Sequence, residues 1–289
     1  MSCNICSSSI ERIFTALVLG EHDVEYFRCN TCGFIQTEEP YWLEEAYKDP
    51  VSIYDTGMVY RGMLWSSILK RIISKLFDRK AKYLDYGGGT GLLVRMMRDS
   101  GYDFYRYDPY GTNIFARGFD ASDLEEFAKF ELLTAFEVFE HVEKPLESIE
   151  EMFGFSETII FSTLLQPLDS RLLNPEEWTY FAPQTGQHIS FYTKRSLESI
   201  ASTFSCNLYS DEEDVHILTK KELKLSKNKM KGLVIPRRMD RWLEMWRNRG
   251  VGWEKMPSHT VLDYEKMLSR YPVPLTEERK QEGVRNASC

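Results

Sequence analysis

Three glycines at alternate positions lie between an apolar run and an amphipathic stretch, and together they could bind a nucleoside. They are Gly87, Gly89 and Gly91. They follow a strand-like run at 82–86 and precede a helix predicted over 92–98. A strand that turns through glycines into a helix presents backbone N–H groups and a helix N-terminus to a ligand. Asp85 stands two residues before the first glycine, and Asp108 ends the next strand-like run, where it could accept both hydroxyls of a ribose.

Four cysteines near the N-terminus form two pairs with the spacing of metal ligands. Cys3 and Cys6 are separated by two residues, as are Cys29 and Cys32, and 22 residues lie between the pairs. Two such pairs can close a tetrahedral zinc site, which would be structural because four thiolates leave no open coordination position. The residues between the pairs have the pattern of a β-hairpin with arms at 14–19 and 25–28. The alternative is four reduced cysteines in a small β-unit.

The elements predicted around the glycine turn alternate between strands and helices, which is typical of an α/β protein. Strands are predicted at 82–86, 102–107, 130–136 and 158–163, with a short third strand at 118–120 and a closing antiparallel hairpin at 206–210 and 215–219. Helices are predicted at 63–77, 92–98, 144–153 and 194–204. The helix at 63–77 has apolar residues every four positions, and we expect it to cover the sheet beside the glycine turn.

The glycine spacing discriminates between nucleoside cofactors. A dinucleotide fingerprint requires its third glycine three residues after the second, and that position is Leu92. The order Asp-x-Gly-x-Gly-x-Gly, with Asp108 at the end of the next strand, instead resembles motif I and the following acidic motif of class I S-adenosylmethionine (SAM) methyltransferases. The alternative is an ordinary tight turn between a strand and a helix.

The resemblance implies a fold and a set of cofactor contacts. The implied fold is a Rossmann-like, seven-stranded class I methyltransferase sheet with a small N-terminal zinc ribbon and a helical C-terminal tail. Asp85 would hold the amino-acid end of SAM, Asp108 would hold its ribose, and Asp120 would lie near the adenine. The backbone would approach the cofactor at the three glycines.

A second stretch carries possible catalytic groups. Residues 136–142, Phe-Glu-Val-Phe-Glu-His-Val, are similar to the segment after the fourth strand in small-molecule methyltransferases that include ubiquinone O-methyltransferases and sugar C-methyltransferases. The similarity implies that Phe136 and Glu137 flank the methyl donor. Glu140 and His141 could then serve as acid, base or metal ligands. The alternative is the first turn of a helix, in which the dipole favours Glu140 and His141 packs.

A third stretch, at 178–193, contains a further histidine. It resembles the loop before the penultimate helix in methyltransferases that carry the same four-cysteine unit, among them the sugar C-methyltransferases. The resemblance implies that His188 lies near the reacting centre. An unperturbed pKa of about 6.5 suits a histidine for removing a proton from a hydroxyl or from carbon next to a carbonyl. The alternative is that His188 binds a loop carbonyl and orders the lid.

Composition limits the remaining possibilities. The chain has 289 residues, 43% of them hydrophobic, and a net charge of −8, which argues against general nucleic-acid binding. No apolar run approaches the ~20 residues of a membrane span. The N-terminal residues lack the pattern of a secretory signal, and paired cysteines suit a reducing compartment, so we expect a cytoplasmic protein.

The predicted organisation has four parts. They are a zinc-ribbon-like unit (1–38), a connector with cofactor-covering helices (39–80), a SAM-binding domain (81–220) and a basic helical extension (221–289). In the extension, helical spacing relates Met239, Trp242, Leu243 and Trp246. A basic amphipathic helix can lie on an anionic membrane, dock a partner or pack on its own acidic domain.

The function predicted from these features is SAM-dependent methylation of a small molecule or a sugar or glycan precursor. One alternative is a methyltransferase-like binding module that recruits a partner through the basic helix. The other is an NAD-dependent oxidoreductase, which Leu92 disfavours.

Overall fold

The computed structural model describes residues 1–48, 53–124 and 129–234, together with Glu265 and Ser269. The helix expected around Met239, Trp242, Leu243 and Trp246 therefore lies outside the described residues. None of the described helices is both long enough and apolar enough to cross a bilayer.

The strands of the described residues are, in chain order, β1 (Ile10–Val18), β2 (His22–Cys29), β3 (Ile35–Thr37), β4 (Lys82–Tyr86), β5 (Asp103–Tyr107), β6 (Leu132–Ala135), β7 (Thr158–Ser162), β8 (Ser190–Phe191), β9 (Asn207–Ser210) and β10 (Val215–Thr219). The helices are α1 (Leu43–Ala46), α2 (Met58–Leu76), α3 (Leu92–Asp99), α4 (Pro145–Phe155), α5 (Lys194–Thr203) and α6 (Lys227–Val234). Within the described residues, the predicted hairpin, strands and helices are present, with ends that differ by a few residues, except the short strand at 118–120.

The central sheet has the order β5-β4-β6-β7-β10-β9. Strands β5, β4, β6 and β7 are parallel, while β10 runs antiparallel to both β7 and β9. All five residues of β7, Thr-Ile-Ile-Phe-Ser, are buried, as expected for a strand covered on both faces. The α/β, Rossmann-like architecture is confirmed.

The described part of the sheet has six strands, not the seven expected. The third strand predicted at 118–120 is reduced to one parallel bridge between Arg106 and Asp120. Asp120 caps a 3₁₀ turn at Ala121–Asp123, in which its side chain and that of Asp123 bond to each other's backbone N–H. The chain therefore leaves the sheet direction at once, and no ladder forms beside β5.

Two hydrophobic cores cover the two faces of the central sheet. One core joins α2, α3 and α6 to residues such as Tyr83, Leu132 and Ile217. The other joins α4 and α5 to Leu133 and Phe161, which point to the opposite face because side chains alternate along a strand. Helix α2 lies over the sheet as predicted, and it begins at Met58, five residues before the expected start.

The N-terminal unit forms a second sheet that includes a strand from far along the chain. Its order is β1-β2-β3-β8. Ile35 and Gln36 of β3 pair with Phe191 and Ser190, and the N–H of Thr37 donates to the carbonyl of Ile189 at 3.2 Å. The N-terminal unit is thereby bonded to the segment that directly follows His188.

Candidate functional site

A cavity of about 1730 Å³ opens at the carboxyl ends of the parallel strands, where ligands bind in open α/β sheets. Its walls come from the glycine turn, the loop after β5, the segment after β6, the first half of α2 and the loop before β8. Tyr47, from the end of α1, closes another part of the wall. The sequence motifs predicted to act together therefore do meet in one place.

The glycine turn lines the cavity with backbone atoms, because its glycines have no side chains. Gly87, with φ +67°, donates its N–H to the carbonyl of Tyr107 at 2.8 Å, and a Cβ there would lie 2.6 Å from a methyl of Val138. Gly89, with φ +50°, also lines the cavity, but a Cβ there would meet no atom within 4 Å. The open space above Gly89 is where a cofactor can lie against the backbone.

Asp85 lies at the tip of β4, beneath the turn. The hydroxyl of Thr134 donates to its Oδ1 at 2.7 Å. Burial raises the pKa of Asp85 to about 7, although the bond from Thr134 opposes the shift. Because Asp85 also lines the cavity, it is placed to contact a bound ligand.

Asp108 ends β5, as predicted, and backbone N–H groups surround its carboxylate. Oδ2 accepts from Gly89 at 2.7 Å, while Oδ1 accepts from Tyr110 at 2.8 Å and Gly111 at 2.6 Å. These bonds join the glycine turn to the loop after β5. Oδ2 keeps a second lone pair for a ligand hydroxyl.

Arg106 is a structural member of this region that sequence reasoning missed. It is buried in the middle of β5, donates to the carbonyl of Gly89 at 2.7 Å and pairs with Asp120 at 2.7 Å. Asp120 also accepts from the side chain of Asn113, and it does not line the cavity. A charged residue inside a buried strand is a readable signal, because such a charge requires a partner. The role of Asp120 beside the adenine stays a prediction.

The segment after β6 places Phe136 and Glu137 on the cavity wall. The ring of Phe136 stacks on Trp65 of α2, with centroids 4.7 Å apart and planes 5° from parallel. Glu137 has φ +55°, an uncommon conformation for a residue with a side chain, and such strain clusters at functional sites. Its carboxylate accepts from Ser162 and pairs with Arg61 at 3.0 Å.

Arg61 and Trp65 were missed by sequence reasoning because only the apolar pattern of α2 was used. Arg61 is bound on two sides, by Glu137 at 3.0 Å and by Asp55 at 2.9 Å. The pair with Arg61 lowers the pKa of Glu137, but burial has the larger effect and the net shift is upward. The first half of α2 thus holds Glu137 in place.

Glu140 lies in a 3₁₀ turn, Phe139–His141, and is completely buried. The turn ends before α4 begins at Pro145, so Glu140 lies in the first turn of this short 3₁₀ helix and not in that of α4. The hydroxyl of Tyr180 donates to Oε1 at 2.7 Å, whereas Oε2 has no hydrogen-bond partner among the described residues. Burial, with the neighbouring Glu137, raises the pKa of Glu140 to about 8.

The two predicted histidines meet at the cavity wall, with ring centroids 4.9 Å apart and planes perpendicular. His188 Nδ1 lies 2.6 Å from the carbonyl oxygen of Tyr180, so Nδ1 carries the proton and Nε2 is the free acceptor. His141 Nδ1 lies 3.0 Å from the hydroxyl of Tyr47. Burial lowers the pKa of His141 to about 3 and that of His188 to about 4, so both rings are neutral at pH 7.

The four cysteine sulfurs come together at the base of the N-terminal sheet, all within 4.8 Å of one another. The Sγ atoms of Cys3 and Cys32 are 3.6 Å apart, and those of Cys6 and Cys29 are 3.4 Å apart. These distances exclude disulfides and approach the edge of about 3.8 Å in a ZnS₄ tetrahedron with bonds of about 2.3 Å. Hydrogen bonding to Cys32 lowers the pKa of Cys3 to about 5.

The fold is that of a Rossmann-like α/β protein, with a cavity at the carboxyl ends of its parallel strands. A family model described as a methyltransferase domain matches residues 60–210, more than half of the chain, and the chain belongs to this family. It is a SAM-dependent methyltransferase, so the enzyme class and the cofactor expected from the glycine turn are confirmed. The oxidoreductase and the binding-module alternatives are set aside.

Solved structures that resemble the chain are also methyltransferases. The plantazolicin methyltransferase BpumL with SAH is 13% identical, covers 62% of this chain and 89% of its own, and has a TM-score of 0.39. Human N-acetylserotonin methyltransferase with SAM is 12% identical, covers 64% and 60%, and scores 0.41. Magnesium protoporphyrin IX methyltransferase from Synechocystis with SAH is 13% identical, covers 61% and 90%, and scores 0.37. No curated protein sequence matched the chain.

Proposed function

We propose that this methyltransferase acts on a small molecule, with sugars and glycan precursors as the first acceptors to test. The observation that carries the proposal is that one cavity is lined both by the glycine turn and by His141 and His188. A methyl donor at the turn and an acceptor at the histidines would lie in the same cavity. Alignment of two reactants in such a space supplies much of the rate of a displacement reaction.

The cofactor side of the cavity fits SAM. The bare backbone at Gly89 admits a nucleoside, and Asp108 keeps an acceptor lone pair beside it for a ribose hydroxyl. Asp85 and Glu137 offer carboxyl groups on the same wall, where they would bind the amino-acid part and flank the methyl group. SAM, when bound, supplies a methyl group on a sulfonium that an acceptor atom can attack in line.

The acceptor side is built from aromatic and polar groups. Tyr47, Trp178, Tyr180 and the two histidines line it. We assign to His188 the contact with the acceptor, because its Nε2 is free while Nδ1–H is fixed by Tyr180. A pKa of about 4 makes His188 a weak base, so the site needs a further group to acidify an acceptor hydroxyl.

We assign a structural Zn²⁺ to Cys3, Cys6, Cys29 and Cys32. Their sulfur positions fit a tetrahedral ion, and the backbone N–H groups of Ile5, Thr31 and Cys32 donate to Cys3 and Cys29 sulfurs at 3.3–3.4 Å. Such bonds stabilise thiolates, which are the form that binds metal. The chemistry proposed for the cavity does not involve this site.

The proposal is tested by methyl transfer from labelled SAM to fractionated acceptor pools. We expect label in a small-molecule fraction with the wild-type protein. We also expect a loss of at least about tenfold in His188→Ala, the scale that a positioned proton-transfer or orienting group contributes. Label found only in protein or nucleic acid would contradict the acceptor class, and full turnover by His188→Ala would remove its assigned role.

A further inference from the structure

Three potential metal ligands meet at the inner end of the acceptor side, away from the four cysteines. A carboxylate oxygen of Glu140, a ring nitrogen of His141 and a ring nitrogen of His188 lie within 4.8 Å of one another. His141 and His188 line the cavity, and Glu140 lies buried behind them. The three residues come from two loops, so the fold rather than local sequence brings them together.

The buried carboxylate of Glu140 is incompletely satisfied. Its Oε1 accepts from Tyr180, but Oε2 has no partner among the described residues although it is out of contact with solvent. An unpaired carboxylate oxygen in the protein interior costs free energy, and a bound cation removes that cost. A carboxylate oxygen of Glu140 lies within 4.8 Å of a ring nitrogen of each histidine, which is close enough for one ion to bind all three.

The groups behind the histidines are those that support metal ligands. The Nδ1–H of His188 donates to the carbonyl of Tyr180 at 2.6 Å. Metal-binding histidines almost always donate their second ring N–H in this way, which fixes the ring and its tautomer. The hydroxyl of Tyr47, at the end of α1, lies 3.0 Å from His141 Nδ1 and fixes the orientation of that ring.

We propose that Glu140, His141 and His188 bind one divalent first-row transition ion, with Zn²⁺ as the reference ion. Two imidazoles and one carboxylate form a donor set that suits Zn²⁺ and leaves a coordination position open for a ligand oxygen. His141 and His188 line the cavity, so an ion bound to them would be within reach of an acceptor there. If the proposed function holds, the ion would polarise an acceptor hydroxyl, and His188 would contact the acceptor through the ion rather than directly.

The test is equilibrium dialysis of the full-length protein against micromolar Zn²⁺, with zinc measured by mass spectrometry. We expect two equivalents in the wild-type protein, one at the four cysteines and one at the triad. His188→Ala and Glu140→Gln should each hold one equivalent. His22→Ala is the matched control, because His22 and Glu45 form an exposed pair of similar composition, and it should hold two.

One equivalent in the wild-type protein that both triad variants retain, or two in both triad variants, would overturn the proposal. Loss of the second equivalent in His22→Ala would overturn it as well. If the triad variants fail to fold, X-ray absorption at the zinc edge of the loaded wild-type protein decides. Nitrogen and oxygen neighbours in addition to sulfur are expected, and an all-sulfur environment would contradict the site. None of these measurements depends on methyl transfer, so their failure leaves the proposed function standing.

Discussion

At the scale of single residues, Gly89 is the position where backbone and cofactor are expected to touch. A Cβ at Gly89 would enter open cavity space, so Gly89→Ala should fold and yet place a methyl where SAM lies. We expect SAM affinity to fall by about tenfold or more, which corresponds to about 1.4 kcal/mol. Isothermal titration measures the change.

Gly101 provides the matched control for this substitution. It also has a left-handed φ, +87°, a Cβ there would meet nothing within 4 Å, and it does not line the cavity. Gly101→Ala should therefore show the same backbone cost, about 1 kcal/mol of folding free energy, with unchanged SAM affinity. Equal affinities of the two variants would show that the cofactor does not lie against Gly89.

His216 gives a residue-scale prediction for pH. It is fully buried between β7 and β9, with Nε2 3.0 Å from the carbonyl oxygen of Thr163 and Nδ1 2.8 Å from Ser210 Oγ. Burial lowers the pKa of His216 to about 4, against about 6.5 in an unfolded chain. Between these values the unfolded state binds more protons, so stability is present above pH 6.5 and is lost as the pH falls toward 4.

Urea unfolding of the wild-type protein and His216→Gln at pH 7.5 and pH 4.5 isolates this contribution. The wild-type protein should lose about 2.5 kcal/mol more than the variant over that interval, as an upper value for one such group. Other buried groups titrate in both proteins and cancel in the difference. An identical pH dependence in the two proteins would show that His216 is not held neutral.

At the scale of elements, strand β8 connects the cysteine cluster to the loop that contains His188. Its pairing with β3 follows directly after His188, and the hydroxyl of Thr193, which also caps α5, donates to the carbonyl of Cys32 at 2.6 Å. The Ile189 N–H donates to the carbonyl of Glu140 at 2.8 Å. Loosening the cysteine unit should therefore loosen both sides of the Glu140–His188 region.

Cys32→Ser tests this connection. The substitution should remove zinc from the four-cysteine site, where binding energy is folding energy, and increase amide hydrogen exchange at Ile189 and Phe191. Cys206→Ser is the control, because Cys206 is another free, partly buried cysteine outside the cluster. Unchanged exchange at β8 in a zinc-free Cys32→Ser protein would show that the unit does not support the loop.

The sequence predicted the turn, strands and helices that depend on patterns among neighbouring residues. The glycine turn, the buried strands and the spacing of apolar residues in α2 are visible in neighbouring residues, and the elements that they predict are present. The β3–β8 pairing was missed, because residues distant in the chain specify it and neither segment signals it alone. The seventh strand was overpredicted, since the capping of the 3₁₀ turn by Asp120 competes with strand pairing.

For the candidate site too, the sequence predicted some residues and missed others. Its glycines and aspartates were predicted from motif spacing, and its glutamates and histidines from a family resemblance, while Arg61, Trp65, Arg106 and Tyr180 received no role. These four act through contacts made across the fold, such as Arg61 with Glu137 and Tyr180 with Glu140. Motif spacing carries no information on such partners.

At the scale of the whole molecule, the N-terminal unit and the central sheet share one hydrophobic core. Cys3, Ile5 and Phe34 belong to the same buried cluster as Leu133 and Phe161. The predicted boundary at residue 38 therefore crosses continuous packing. We expect calorimetry of the zinc-loaded protein to show residues 1–234 unfolding in one cooperative transition.

A separate, reversible transition abolished by Cys32→Ser alone would contradict this expectation. It would indicate an N-terminal domain that unfolds by itself.

The central claim is that SAM lies across the glycine turn with its methyl group facing the two histidines. A crystal structure of the protein with S-adenosylhomocysteine tests this claim most directly. We predict the adenosine against Gly89 with its ribose at Asp108, and the sulfur on the wall formed by Phe136 and Glu137, facing His141 and His188. A cofactor bound outside this cavity, or bound with its sulfur turned away from the histidines, would contradict it.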